Sequence, residues 1–247
     1  MDDVPTWDRI RFPVTRRTWL IALGVIADDR TPEARADALA DLFRSYWPAL
    51  YALAMRTRSH EDAEDVVQGF ISSLLRPGAL ARYRVDRSRF RCYVCGAFRN
   101  YERNEARGRK SRRRRLDLIL LSPDIIAGIE QRAGLYSSPP DPERLFDREW
   151  ALALIGLAME DTRKSYHDRG AGPEYDYLVR YLEGDVTEES HAEAAARLGA
   201  TVAAVKMKIK RLRERFTRSL RERVAETLGE DSEIDDELRW LRQALTR

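Results

Sequence analysis

Cysteine is scarce in this chain: Cys92 and Cys95 are the only two among 247 residues. Two thiols cannot build the disulfide framework that staples small secreted domains. They also fall short of a zinc site, which takes about four ligands, and His60, His167 and His191 are too scattered to complete one. At i and i+3 on a helix, the two thiols are expected to pack as small hydrophobes. Long apolar runs are missing too. The longest, Trp150 to Met159, is broken by Gly156 and is far below the ~20 apolar residues of a membrane span. Met1-Asp2-Asp3 is acidic where a secretory signal would be basic, so a cytoplasmic protein without membrane contact is expected. There is no Walker loop, glycine-rich dinucleotide turn or nucleophile elbow. His60-Glu61-Asp62-Ala63-Glu64 lacks the second histidine of a metalloprotease helix. A nucleic-acid-cleaving enzyme would need clustered carboxylates for metal, yet the dense acids belong to one helix and one tail. No catalytic residue, metal or cofactor is therefore expected.

Net charge is also small, at +3, but it is segregated, and segregation is the informative quantity. Between Arg99 and Arg115 stand nine cations and two acids, and Val205 to Arg223 repeats that count. Acids gather instead at Glu61-Asp62-Ala63-Glu64-Asp65 and from Glu226 to Glu237. Two basic patches far apart in sequence point to two separate contacts with nucleic acid.

The chain reads as all-α, with no alternating strand pattern and no internal repeat. Two small helical domains joined by a linker are expected, the C-terminal one a helix-turn-helix. Thr31-Pro32-Glu33 opens a helix with an N-cap threonine and a proline at its first position. That helix runs to about Arg58, with Leu39, Leu42, Phe43, Tyr46, Leu50 and Leu53 inward. Glu61 to Leu75 forms a second helix, acidic at its N-terminus as the macrodipole favours. A basic helical stretch follows from Arg89 to about Arg115. Ser137-Ser138-Pro139-Pro140-Asp141-Pro142 is the clearest linker signal. Helices then resume to about Leu228.

The helix-turn-helix spans Ser190 to Arg223. An alanine-rich first helix favours helical backbone. Gly199 supplies the left-handed turn, and Thr201 stands at the next N-cap. The second helix keeps Val205, Ile209, Leu212 and Phe216 on one apolar stripe and is cationic elsewhere. Such a helix lies on protein on one side and on duplex DNA on the other.

Two further patterns share the chain with it. Asp62, Asp65 and Gln68 recur at i, i+3, i+6 and so offer acceptors to partner arginines from one helix face. Phe90-Arg91-Cys92-Tyr93-Val94-Cys95-Gly96-Ala97-Phe98-Arg99-Asn100-Tyr101 interleaves aromatics and cations, a mixture that can stack on unpaired bases and hold phosphates. Most of those aromatics are expected in the core. With Phe12-Pro13-Val14-Thr15-Arg16 and Pro142-Glu143-Arg144-Leu145-Phe146-Asp147-Arg148-Glu149-Trp150, the order and spacing of these motifs resemble the extracytoplasmic-function group of sigma-70-family sigma factors.

That resemblance, from about Thr31 to Val224, implies a division of labour. Residues 1–30 would be an extension. Residues 31–115 would form the region-2-like domain, with Asp62, Asp65 and Gln68 docking on core RNA polymerase and Arg99, Asn100, Arg103, Asn104 and Arg107 at the minus-ten promoter element. Residues 116–142 would link, threading along the polymerase. Residues 143–225 would form the region-4-like domain, with Thr201, Lys206, Met207, Lys210 and Arg211 at the minus-thirty-five element. Residues 226–247 would be an acidic amphipathic tail. An anti-sigma or other regulatory partner would fit the same scheme. Arg213, Arg215 and Arg218 are expected to be solvated or phosphate-bound. Gly69 departs from a frequent glutamate at a cost in helix stability, and Ala194, Ala200 and Ala203 imply a thin C-terminal core. The alternative reading is a polymerase-independent helix-turn-helix regulator, which would not need the acidic helix or the basic aromatic segment. In the tail, Ile234, Leu238, Leu241 and Leu245 form an apolar stripe with Trp240 off it. The tail is expected either to pack on the C-terminal domain or to compete with DNA for its basic face.

Overall fold

The chain folds into helices wherever a computed structural model describes it, at 32–74, 90–106, 123–134, 141–183, 191–227 and 234–246, and no strand occurs among these residues. The helices are α1 (Pro32–Met55), α2 (His60–Leu74), α3 (Phe90–Ala106), α4 (Pro123–Gly134), α5 (Pro142–His167), α6 (Gly172–Leu178), α7 (Arg180–Glu183), α8 (His191–Arg197), α9 (Val202–Thr227) and α10 (Ile234–Thr246). Among the described residues no helix is long and apolar enough to cross a membrane. The helices divide into two units. Unit 1 draws on Met1–Ala153 and Ala225–Arg247, and unit 2 is Leu154–Val224. The Phe-Pro-Val-Thr-Arg motif, Arg107 and the proline-rich stretch before Asp141 lie outside the described residues.

In unit 1, α1 is the central helix. Every residue from Ser45 to Ala54 is buried, so Trp47, Ala49, Tyr51 and Ala52 join the inward face read from the sequence. A helix apolar all round is one enclosed by others. Here α2, packed through Ala63, Val66, Val67, Phe70, Ile71 and Leu74, lies against α1 and α3. Ser59 caps α2, accepting from the Asp62 N–H at 3.3 Å and donating to its carboxylate at 3.0 Å. The α2–α3 contact explains Gly69: a Cβ there would stand 2.5 Å from the Tyr101 hydroxyl, whose ring packs beside Phe70. Gly69→Ala is therefore expected to cost about 1–3 kcal/mol by overpacking. Tyr101→Phe removes the obstructing oxygen and should restore stability to Gly69→Ala, because alanine is the better helix former by about 1 kcal/mol. Urea unfolding of the two single variants and the double variant measures this.

The stretch read as a connecting segment, 116–142, carries α4 in its described part. This helix packs on α1, and its Ile129 is buried. Glu130 accepts a 3.1 Å hydrogen bond from the Tyr51 hydroxyl. Arg132 forks onto buried Glu149 of α5 at 3.0 and 2.5 Å. The expected domain boundary at 142/143 is not where unit 1 ends. It continues to Ala153 because Phe146 and Trp150 are fully buried beside Tyr46 of α1.

The tail helix α10 also belongs to unit 1, which corrects the expectation that it packs on the C-terminal domain. Its buried face centres on Glu237 and Leu241, and the rest of the predicted stripe, Ile234, Leu238 and Leu245, is half-buried. Arg91 of α3 is the reason. Its guanidinium donates to Glu237 Oε1 and to Asp147 Oδ1, both at 2.8 Å. It also stacks 3.3 Å from the centre of the Trp240 ring, and Trp150 lies beyond. One positive charge thus serves two carboxylates in a nearly dry site, with side chains 7% and 1% exposed for Arg91 and Glu237. Burial raises the Asp147 carboxyl from 3.8 to about 6 although Arg91 opposes the shift, and Glu237 adds to it. A folded-state value above the unfolded one means the fold prefers protonated Asp147. That stabilisation is present below pH 4 and is lost as pH rises through about 6. Relative to Asp147→Asn, the wild type should lose on the order of 2–3 kcal/mol between pH 4 and pH 7. Paired denaturant titrations across that range check the sign and size.

Unit 2 closes around tyrosines. Tyr166, Tyr175, Tyr177 and Tyr181 pack with Leu178, Ala194, Ala195, Val205, Ile209 and Leu212. The small residues of α8 therefore do not leave a thin core, because aromatic rings fill the space opposite them. Helix α8 ends in a Schellman turn. Ala200 N–H reaches the Ala195 carbonyl at 2.9 Å and Gly199 N–H the Ala196 carbonyl at 3.4 Å, with Gly199 left-handed at φ +59°. Thr201 then caps α9, its hydroxyl accepting from Ala204 N–H at 3.1 Å.

Candidate nucleic-acid interface

Helix α9 carries nine cations from Lys206 to Arg223, and the fold sorts them. Val205, Ile209 and Leu212 are buried, Phe216 is half-buried, and the cations flanking that stripe are bonded within unit 2. Lys208 pairs with Glu174. Arg213 donates to the Tyr181 carbonyl at 3.3 Å. Arg215 bonds Ser165 and lies over the Tyr166 ring. Arg223 forks onto Asp161 at 2.7 and 2.8 Å. Arg213 and Arg215 were expected at solvent or phosphate. Arg213 is exposed as expected, although it also bonds a backbone carbonyl, whereas Arg215 is half-buried and engaged because it stands beside the stripe, within reach of a neighbouring helix.

The cations on the outer face are exposed. Lys206, Lys210 and Arg211 all face solvent, as do Thr201 and Met207. Lys206 and Arg211 have no ion-pair partner among the described residues, and Lys210 has only a 3.7 Å contact with Glu214 one turn on. An exposed i, i+4 pair of this kind contributes a few tenths of a kcal/mol, so it does not hold Lys210 back from a stronger anion. An open groove of about 580 Å³ follows this side of the helix, lined by His191, Lys206, Ile209, Lys210, Arg213, Glu214 and Thr217. His191, from the start of α8, was not among the expected residues. Its proximity depends on the turn at Gly199, which folds α8 back on α9, and sequence spacing alone does not reveal it.

In unit 1 the candidate residues again stand opposite the packed stripe. On α3, Phe90, Arg91, Val94, Cys95 and Phe98 are buried. Asn100, Arg103 and Asn104 are exposed on the other side, and Arg99 is half-buried. Arg99 pairs with Glu143 at 3.0 Å on the surface, and Arg103 donates to Asn100 Oδ1 at 2.5 Å. Phe90 and Phe98 are core, packed edge-on to Tyr46 and Phe70, while Tyr93 is half-buried beside Phe90. Cys92 and Cys95 part company: Cys92 is exposed, and Cys95 is buried. Burial, reinforced by the carboxylates of Asp147 and Glu143, pushes the Cys95 thiol up to about 12. That keeps it protonated and unreactive.

On α2, Asp62 is exposed and Asp65 and Gln68 are half-buried, all on the side away from Val66, Val67, Phe70 and Ile71. Asp62 serves the helix cap through Ser59, yet its exposure leaves acceptor capacity for a second donor. The structure therefore offers three separate polar faces. One is acidic on α2, one mixed asparagine and arginine on α3, and one cationic on α9. Comparison of this chain with family models, with curated proteins and with solved structures returned no match.

Proposed function

We propose that this chain is a promoter-recognition subunit of RNA polymerase, of the extracytoplasmic-function sigma type that its motifs resemble. It would not itself be an enzyme. The observation that carries the reading is the sorting of cations on α9. Four are bonded within unit 2, while Lys206, Lys210 and Arg211 are left on the outer face of a helix that is capped at its start and stapled by a Schellman turn. Such an arrangement supports the reading of a helix-turn-helix whose second helix would enter a major groove, where lysine and arginine can meet guanine edges and phosphates.

The other two faces favour a polymerase subunit over a lone regulator. A repressor has no use for an acidic helix face beside an exposed asparagine and arginine face. A sigma factor uses the first to dock on polymerase and the second on the strand freed at the minus-ten element. Asn100, Arg103 and Asn104 supply amide and guanidinium groups that can bond base edges and phosphates once the duplex opens. The docking face is testable directly. Asp62→Lys with Asp65→Lys should reduce co-purification with core RNA polymerase more than tenfold, because acceptors for partner cations become repelling charges. Both sites lie off the buried stripe, so the helical circular dichroism signal should be unchanged. Undiminished co-purification would remove α2 from the docking surface.

A further inference from the structure

Val202 and Met207 are the exposed large hydrophobic side chains among the described residues, at 39% and 47%. Both are on α9, and Met207 is the more exposed. At about 100° per residue, Met207 sits in the middle of the outer face, one turn after exposed Ala203 and between Lys210 and Arg211. The buried stripe of Val205, Ile209 and Leu212 lies on the opposite side. Met207 is therefore not spare core. Nor can it serve a phosphate, because a thioether donates no hydrogen bond.

We propose that Met207 selects thymine: its side chain meets the C5-methyl group in the major groove, making an A·T pair part of the sequence this helix reads. The inference rests on the reading of α9 as a recognition helix and goes beyond it by naming a base. In the major groove, thymine presents a methyl group to an apolar side chain, and the other bases present donors and acceptors. Lys206, Lys210 and Arg211 flank Met207 and fix the helix through phosphates or guanines, so the methyl contact falls at a set position between them. Methionine suits the role, being long, unbranched and adaptable to an irregular apolar surface.

The test uses the full chain bound to core polymerase. Duplexes are selected from a randomised pool, and the best is compared with copies in which each thymine in turn is replaced by uracil, which lacks only the methyl. At one position uracil should weaken binding about three- to tenfold, as expected for loss of one buried methyl contact. Met207→Ala should weaken binding to the thymine duplex by a similar factor and then show no further loss with uracil. Met207→Leu, still apolar, should keep the discrimination. Indifference of the wild type to uracil at every position overturns the proposal, as does discrimination that persists in Met207→Ala. Equal loss on both duplexes also overturns it, by giving Met207 to protein contact. In each of those cases binding by the wild type leaves the recognition-helix reading standing. Failure of the wild type to select any duplex defeats both.

Discussion

Arg91→Ala is expected to destabilise unit 1 by about 3–5 kcal/mol, the range for removing one partner of a buried ion pair. The size follows from what is left behind. Glu237 is almost wholly buried and Asp147 largely so, and both lose the guanidinium that they share. Trp240 loses the cation stacked on its face, a contact of about 1–2 kcal/mol when dry. Arg91→Lys keeps the charge but not the planar fork that reaches two carboxylates from one group, so it should recover less than half the loss. The fold supplies its own probe. All five tryptophans, Trp7, Trp19, Trp47, Trp150 and Trp240, lie outside Leu154–Val224. Tryptophan fluorescence therefore follows unit 1, while circular dichroism follows both units. In Arg91→Ala the fluorescence transition should move to lower denaturant and separate from the later part of the dichroism transition. A coincident, unshifted transition would mean that the arginine is replaceable by water.

The second large effect is on DNA. Replacing Lys206, Lys210 and Arg211 together with alanine should abolish measurable promoter binding by the polymerase-bound chain. Each contact is worth about 1–3 kcal/mol if bidentate to a base and less if to phosphate. The salt dependence should flatten in step with the number of phosphates no longer neutralised. Core-polymerase binding should be untouched, because these residues lie in unit 2 and the acidic face lies in unit 1. Folding should be untouched as well, since all three are exposed. The corresponding changes at Arg215 and Arg223 should do the reverse, lowering the stability of unit 2 through lost contacts with Ser165 and Asp161. Promoter affinity would follow only as far as the fold does. Equal loss of polymerase binding in the triple variant would argue against two separate surfaces.

Local features of this fold are legible in the sequence because their physics is local. Gly199 and Thr201 announce the end of one helix and the start of the next, since a left-handed residue and a capping hydroxyl each act within a few positions. The stripe of Val205, Ile209 and Leu212 is readable from its period. What is not legible depends on partners far along the chain. Glu237 closes an acidic block in the sequence, yet it is buried against Arg91, 146 positions earlier. Trp240 lies off the apolar stripe by period, but the Arg91 guanidinium draws it into the packed face. Arg213 and Arg215 look like members of a uniform cationic surface, and only the placement of Tyr181 and Ser165 distinguishes them from Lys206 and Arg211. Gly69 reads as a weak point in α2 until Tyr101 is placed over it. The candidate faces on α2, α3 and α9 could be found by excluding the buried stripe.

The most direct measurement is transcription by purified core RNA polymerase from a pool of genomic fragments, with and without this chain. The account predicts discrete run-off products that appear only with the chain and vanish with Lys206, Lys210 and Arg211 replaced. Tight, specific DNA binding by the chain alone, with no association with core polymerase and no chain-dependent product, would contradict it and identify a polymerase-independent regulator.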